Sequence, residues 1–354
     1  MTPSYIFTAI LALASSVRAQ CGSGTPDAVV DGLGSSYRAS RGSNQLYSGS
    51  DYLAAIRAAV DSISSGQRVT VLASGSIGSN SIFIDSGKTF EVCGTINASS
   101  RRGHGAIEST GTSDVHIPYL TLTGNPDFGF LFYDTRNLAL GEINMELSGG
   151  LGIRFHRDEP PNYNVTMDVV NVSGASSHAI ETWNINTLSI NQVIARDVGE
   201  CGLLLQNTVD AHVGLVDGVN VASGTGYATF RMANNNGQRD NGGYDTNIYV
   251  DKVVSRGGGR GIFCVSRSGA AVIQSVDLQD NGNNAILIEN CYNVEIQGGT
   301  VNGGGEVRIA ARDEFPNTRD ISITLTVNDN SVRESPCGEN TNWDISGDAS
   351  MNVC

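Results

Sequence analysis

Side chains able to move protons or hold anions return at a repeating distance along the 354-residue chain. Arg154 and His156 stand two residues apart; Glu181 and Trp183 repeat that spacing 27 residues later, Leu204 and Gln206 another 23 on, and Thr229 and Arg231 another 25. Tyr133 precedes His156 by 23 residues. A histidine or a glutamate can serve as general acid or base, and a phenol can donate a proton. An arginine offers a planar pair of donors that matches a carboxylate. His156, Arg154, Glu181, Arg231 and Tyr133 are therefore the candidate catalytic set. Trp183, Gln206, His178, Glu200, Glu108 and Glu289 are candidate ligand-binding residues around it. Each has a plainer alternative: Glu181 as the ion-pair partner of Arg154 or His156, Arg231 as a surface ion pair, and Glu108 and Glu289 as solvated side chains.

Such residues become neighbours only if the repeat is structural. From residue 105 onward a small residue followed by alternating apolar and polar positions keeps returning, as in Gly152-Ile-Arg-Phe-His, Ala179-Ile-Glu-Thr-Trp and Gly202-Leu-Leu-Leu-Gln. Successive starts from Ala106 to Ala285 are 23 to 34 residues apart, mostly 23 to 27. Each repeat holds two further short strands separated by Asn, Gly, Asp and Ser clusters suited to tight turns. Three strands and three turns per repeat describe one coil of a parallel β-helix, in which coils share a core because none buries its apolar face alone. The helix and LxxLxL spacing of a leucine-rich repeat are absent. Alternation puts one residue in and the next out, so the paired residues above form two outward rows. The coils carrying Arg154 and Arg231 also carry insertions, 157–163 and 234–244, expected to rise as walls on both sides of a groove.

The rest of the chain frames this coil. Residues 1–19 read as a signal peptide ending in Val17-Arg18-Ala19, which implies a secreted, extracellular protein. Residues 20–68 hold an amphipathic helix from Ser50 to Ile63, with Leu53, Ile56, Val60 and Ile63 on one face, expected to cap the solenoid. Residues 69–325 form the β-helix and 326–354 a C-terminal cap or tail. Pairing is expected for Cys337–Cys354 and Cys21–Cys93, and the odd count of seven cysteines leaves a thiol over. Asn97, Asn164 and Asn171 stand in glycosylation sequons. A net charge of −14 excludes a nucleic-acid partner, and no segment is long and apolar enough to span a membrane. Nothing signals an obligate oligomer, so a monomer is expected. No Cys/His cluster marks a metal site; no cofactor is required by the pattern, and calcium, though possible in an acidic groove, is not signalled.

The export signal, N-terminal helix and short coils resemble the pectin-lyase-like superfamily of secreted right-handed parallel β-helix proteins that act on polysaccharides. Gly103-His104-Gly105 with Ala-Ile-Glu-Ser, and Gly152-Ile153-Arg154-Phe155, are similar to strand motifs of polygalacturonases. The paired Asp-Asp of those enzymes and the calcium-binding Asp set of pectate lyases are missing, so the resemblance identifies the superfamily and no family within it. It implies a carbohydrate-active enzyme with a polysaccharide substrate. Among its chemistries the outward rows favour β-elimination from an anionic, uronic-acid-containing chain: arginine for the carboxylate, histidine and tyrosine for the protons, and Trp183 as a stacking platform. An inverting glycoside hydrolase is the alternative, and a non-catalytic carbohydrate-binding or surface β-helix protein the second.

Overall fold

The computed structural model describes residues 21–354; the stretch read as a signal peptide lies outside them. Among the described residues no helix is long and apolar enough to cross a membrane. The chain winds as an all-β parallel solenoid of about 12 turns. One face, the site sheet, is built from segments that stack in register: residues 128–132 of the long strand Phe128–Leu147 on Leu151–Phe155, then Ile180–Trp183, Leu203–Gln206, Ala228–Ala233, Arg260–Cys264, Ile286–Glu289 and Val307–Ala310. Longer strands such as Asn162–Ser173 and Ile185–Arg196 carry the chain around the other faces.

The alternation seen in sequence is what fills the core. Phe130, Ile153, Ile180, Leu203, Phe230, Ile262, Ile286 and Val307 stack in one inward column, none more than 1% exposed. Each such side chain contributes about 1.5–3 kcal/mol of burial. The small residue opening each segment marks a tight corner: a Cβ on Gly152 would lie 2.3 Å from the carbonyl oxygen of Ala179 on the next rung. At other corners Asn and Asp supply the left-handed backbone. Asp114, Asn137 and Asn164, all with φ between 56° and 58°, sit one above another, each amide donating to the residue of the rung before at 2.7 and 2.8 Å.

At the N-terminal end a helix runs from Tyr52 to Ser62, its start held by Asp51 accepting from the Ala54 N–H at 3.0 Å. Its apolar side, including Leu53, Ile56 and Val60, is buried. Beside it lies an antiparallel meander that no periodicity announces: Ala28–Leu33, Ser36–Arg41 and Asn44–Gly49, of which the first also pairs in parallel with Arg68–Val71. Here Cys21–Cys93 closes a disulfide, and the buried Glu91 accepts from the Gly22 N–H (3.1 Å) and the Thr70 hydroxyl (2.6 Å) with Arg68 at 3.6 Å.

The segment 326–354 is not a separate tail. Glu339–Gly347 pairs in parallel with Arg319–Asn328, and Ser350–Asn352 with Ser331–Glu334, so winding continues to the C-terminal end. Cys337–Cys354 staples this turn, and a third disulfide, Cys264–Cys291, ties neighbouring coils; Cys201 is free and buried. Glu334 organises the last turn, accepting from the N–H groups of Gly338 (2.7 Å) and Cys354 (3.4 Å), the Thr341 hydroxyl (2.9 Å) and the Trp343 indole (3.0 Å). Burial alone would raise its pKa, but these donors together outweigh burial and hold the carboxyl below its ordinary value.

A carboxyl with a depressed folded pKa contributes stability that is fully present above its unfolded pKa and is lost as pH falls through the folded value. Glu334→Gln should therefore unfold about 1–3 kcal/mol more easily at neutral pH. Its thermal midpoint should also fall less than that of the wild type when pH is lowered below the ordinary glutamate range. Equal acid-side slopes in the two melting series would contradict this role.

Candidate active site

In-register pairing fixes which side chains meet on the outer wall. One column runs Glu108, Leu131, Arg154, Glu181, Leu204, Arg231, Phe263, Leu287, Arg308. Two residues further along the strands stand Tyr133 and His156, then Trp183 and Gln206, which are register partners. A third outer column lies three residues before the first and includes Phe128, Leu151, His178, Cys201, Ala228 and Arg260. The expected pairing of Thr229 with Arg231 as the two outward residues of their rung is corrected. Arg231 is the register partner of Leu204, and the residue two beyond it is Ala233. Thr229 is buried at the corner, its hydroxyl 2.7 Å from that of Ser255. Taking Thr229 and Arg231 as the equivalents of Leu204 and Gln206 sets the frame two residues early, and a slip of two keeps Arg231 outward.

Three groups occupy the wall. In the first, Glu181 is nearly buried and fully engaged. Its Oε1 accepts from the Trp183 indole (3.1 Å) and the Gln206 amide (3.2 Å), and its Oε2 lies 3.5 Å from Arg154. Gln206 accepts in turn from Asn234 at 2.6 Å. The Arg154 guanidinium covers the Phe128 ring at 4.9 Å. This group is a lock between three rungs.

The second group centres on His178. Its Nδ1 accepts from the Cys201 backbone N–H at 3.0 Å, so in the neutral ring the proton sits on Nε2, 3.1 Å from Glu200 Oε2. Ser177 and the Tyr227 hydroxyl also donate to Glu200, and the Tyr227 ring meets His178 edge-on at 5.7 Å. Burial lowers the His178 pKa; Glu181 and Glu200 oppose that, while Arg231 and Arg154 reinforce it. The hydrogen bond to Glu200, with some burial, raises the Tyr227 phenol. Burial pushes the Cys201 thiol to about 12, against the pull of Arg231, so it stays protonated. Arg231 stands beside this group, its guanidinium 5.9 Å from the Tyr227 ring and 5.2 Å from the Phe263 ring. Among the described residues no carboxylate lies within ion-pair distance of Arg231, and its Nε is buried without a hydrogen-bond partner.

The third group is Tyr133 with His156, rings edge-on at 6.3 Å, and His156 Nδ1 accepts from the Asp158 N–H at 3.3 Å. Arg154 and Arg231 are three rungs apart, ~14 Å at the usual strand spacing. The candidate catalytic residues thus share a wall but divide into two centres, too distant to act on one sugar ring. Glu108 lies three rungs from Glu181, where its Oε1 binds His104 (3.0 Å), the Gly105 N–H (2.9 Å) and Ser81 (3.1 Å). Glu289 is ion-paired with Arg312 at 2.6 Å. Neither reaches the centre. The insertions do not flank a groove: both leave from the same strand end, so they stand on one side. There Pro161, Tyr163, Gln238 and Asp240 line a single cavity of about 370 Å³ with Asn184, Asn186 and Asn207.

Tyr227, Phe128 and Arg260 were missed in sequence. The available signal was position, since Arg260 stands three residues before Phe263 as His178 stands three before Glu181.

Nitrogen NMR of the His178 ring should show a neutral Nε2–H tautomer that persists below pH 6.5, the ordinary histidine value. A ring that titrates at or above that value would contradict the buried, amide-anchored geometry.

No family model matches the chain, and no curated protein matches it in sequence. Among solved structures it is similar to the A-module of the mannuronan C-5 epimerase AlgE4 of Azotobacter vinelandii, at 15% identity and a TM-score of 0.56, covering 85% of this chain and 91% of that one. A family 28 exopolygalacturonase of Yersinia enterocolitica aligns at 11% identity and a TM-score of 0.44, over 84% of this chain and 74% of the other. At these identities the likeness to the A-module is one of architecture: the chain has the right-handed parallel β-helix fold.

Proposed function

We propose that this is an exported polysaccharide-active enzyme that removes the C5 proton of a uronic acid within a chain and expels the C4 oxygen by β-elimination. The observation that carries the reading is Arg231: a guanidinium with no carboxylate partner, on an open wall, beside a carboxylate held by three donors. Its fork suits the substrate carboxylate, onto which negative charge spreads as the C5–H bond breaks. Glu200, oriented by His178 and Ser177, takes that proton. The electron pair forms the C4–C5 double bond and the C4–O bond breaks. Until that moment the hydrogen bond to ionised Glu200 keeps the Tyr227 phenol protonated; once Glu200 has taken the proton it no longer accepts from that hydroxyl, which delivers its proton to the leaving oxygen and is restored by Glu200 as the site resets. His178 is a positioning residue here, and the lock of Arg154, Glu181, Trp183 and Gln206 sets the neighbouring subsite. Epimerisation at C5 of mannuronan, the activity named for the A-module, also requires breaking a C–H bond next to a carboxylate, which supports the same class of substrate. The three disulfides suit an oxidising, extracellular setting.

One observation favours a second reading. Glu181 and Glu200 lie on adjacent rungs and both act on His178 electrostatically, so a carboxyl pair for inverting hydrolysis is at hand. That mechanism would require Glu181 to leave its present partners.

Purified protein incubated with pectate, alginate and glucuronan should yield products with the ultraviolet band of a C4–C5 unsaturated uronate. New reducing ends without that band would establish hydrolysis instead, and neither signal would leave a binding protein. On the accepted substrate, Arg231→Gln and Glu200→Gln should each lower kcat/KM at least ~100-fold. His156→Ala, in the other centre, should cost less than ~10-fold. Near-native turnover by Arg231→Gln would overturn the assignment.

A further inference from the structure

Arg231 has a companion that the reaction above does not use. Arg260, on the next rung, places its guanidinium 4.6 Å from the centroid of the same Phe263 ring that Arg231 covers at 5.2 Å. Only 8% of the residue is exposed. Its Nε donates to Asn284 at 3.0 Å, while one terminal nitrogen is buried with no partner. Among the described residues no carboxylate lies within ion-pair distance of it. Glu289, the acid whose field reaches it, is taken by Arg312 at 2.6 Å. Two guanidinium groups thus share one phenyl ring without a counter-charge, in a chain with 36 acidic and 22 basic side chains. Like charges held this way repel, and burial removes the water that would screen them. An oxyanion between or beside them relieves both penalties and satisfies the orphaned N–H groups.

We infer that Arg260 is a second anion-binding side chain, holding the carboxylate of the uronic acid adjacent to the one held by Arg231. This rests on the reading of Arg231 given above and sharpens it. Adjacent rungs are ~4.8 Å apart, comparable to one pyranose residue of an extended chain. The wall therefore selects a run of consecutive acidic sugars over isolated acidic residues among neutral ones. Phe263 acts as the platform that keeps the two guanidinium planes in place.

The test is titration calorimetry of the full-length protein with trimers of galacturonate, mannuronate and glucuronate, with their carboxyl-reduced neutral counterparts, and with the single uronic acids. Arg260→Gln should weaken binding of the preferred acidic trimer by at least ~10-fold. It should leave neutral trimers and single uronic acids unchanged, and Arg260→Lys should recover part of the loss. Equal weakening of acidic and neutral trimers, or a lowered melting midpoint that Arg260→Lys does not restore, would show a structural role and overturn the inference. So would unchanged trimer affinity. Turnover with no dependence on Arg260 removes this subsite and leaves the proposed reaction standing. Arg260-dependent binding without turnover does the reverse. Failure of the wild type to bind any acidic trimer removes both.

Discussion

Every rung of this protein must hydrogen-bond the rung on either side of it. A parallel coil has no partner within itself, so its backbone groups are satisfied only when the next coil lies directly above, in register. That requirement explains the small residues at the corners, where one rung's Cβ meets the next rung's carbonyl, and the asparagine stacks, whose amides repeat the ladder in side chains. It also dictates the site. Arg154 and Glu181 are neighbours because their Cα atoms are register partners, and Arg231 stands two rungs further along the same column, each position set by the backbone.

The parts of the wall visible in sequence are those that obey a period of two. Within a strand, alternation placed Glu181, Trp183, Leu204 and Gln206 outward, as the register has them, and a slip of two at Thr229 still left Arg231 facing out. The third outer column stands three residues before the first, across a corner. Three is odd, so alternation assigns His178 and Arg260 to the interior, and only the actual bend brings them out. Phe128 escaped for the same reason, and Tyr227 because it stands just before the strand Ala228–Ala233, where alternation assigns no face. The Cys264–Cys291 bridge was legible in principle, because 27 residues is one coil. The insertions were found but misplaced: two loops leaving the same strand end belong to the same edge. The meander at 28–49 follows no repeat and gave no periodic signal to read.

Chemically, the wall separates roles that the sequence merged. The arginine on the rung of Leu151–Phe155 is spent on a carboxylate and a phenyl ring, and its value lies in holding three rungs to one geometry. The arginine on the rung of Ala228–Ala233 lies against aromatic faces and the Cys201 thiol, with no carboxylate within ion-pair distance among the described residues. A guanidinium stacked on rings keeps its edge donors free for a planar anion, and in so acidic a chain that freedom is what distinguishes it. His178 shows the complementary economy: one nitrogen is fixed by a backbone amide, so the other aims at Glu200 without choice of tautomer.

The two ends of the solenoid share a construction. Each combines a disulfide with a buried glutamate that gathers backbone and side-chain donors: Glu91 beside Cys21–Cys93, and Glu334 beside Cys337–Cys354. A stack of identical layers ordinarily comes apart by peeling, one layer at a time from a loose terminus. With both termini stitched, peeling has no starting point, and opening must begin as an internal rupture that severs two ladders at once. The molecule trades many easy exits for one difficult one.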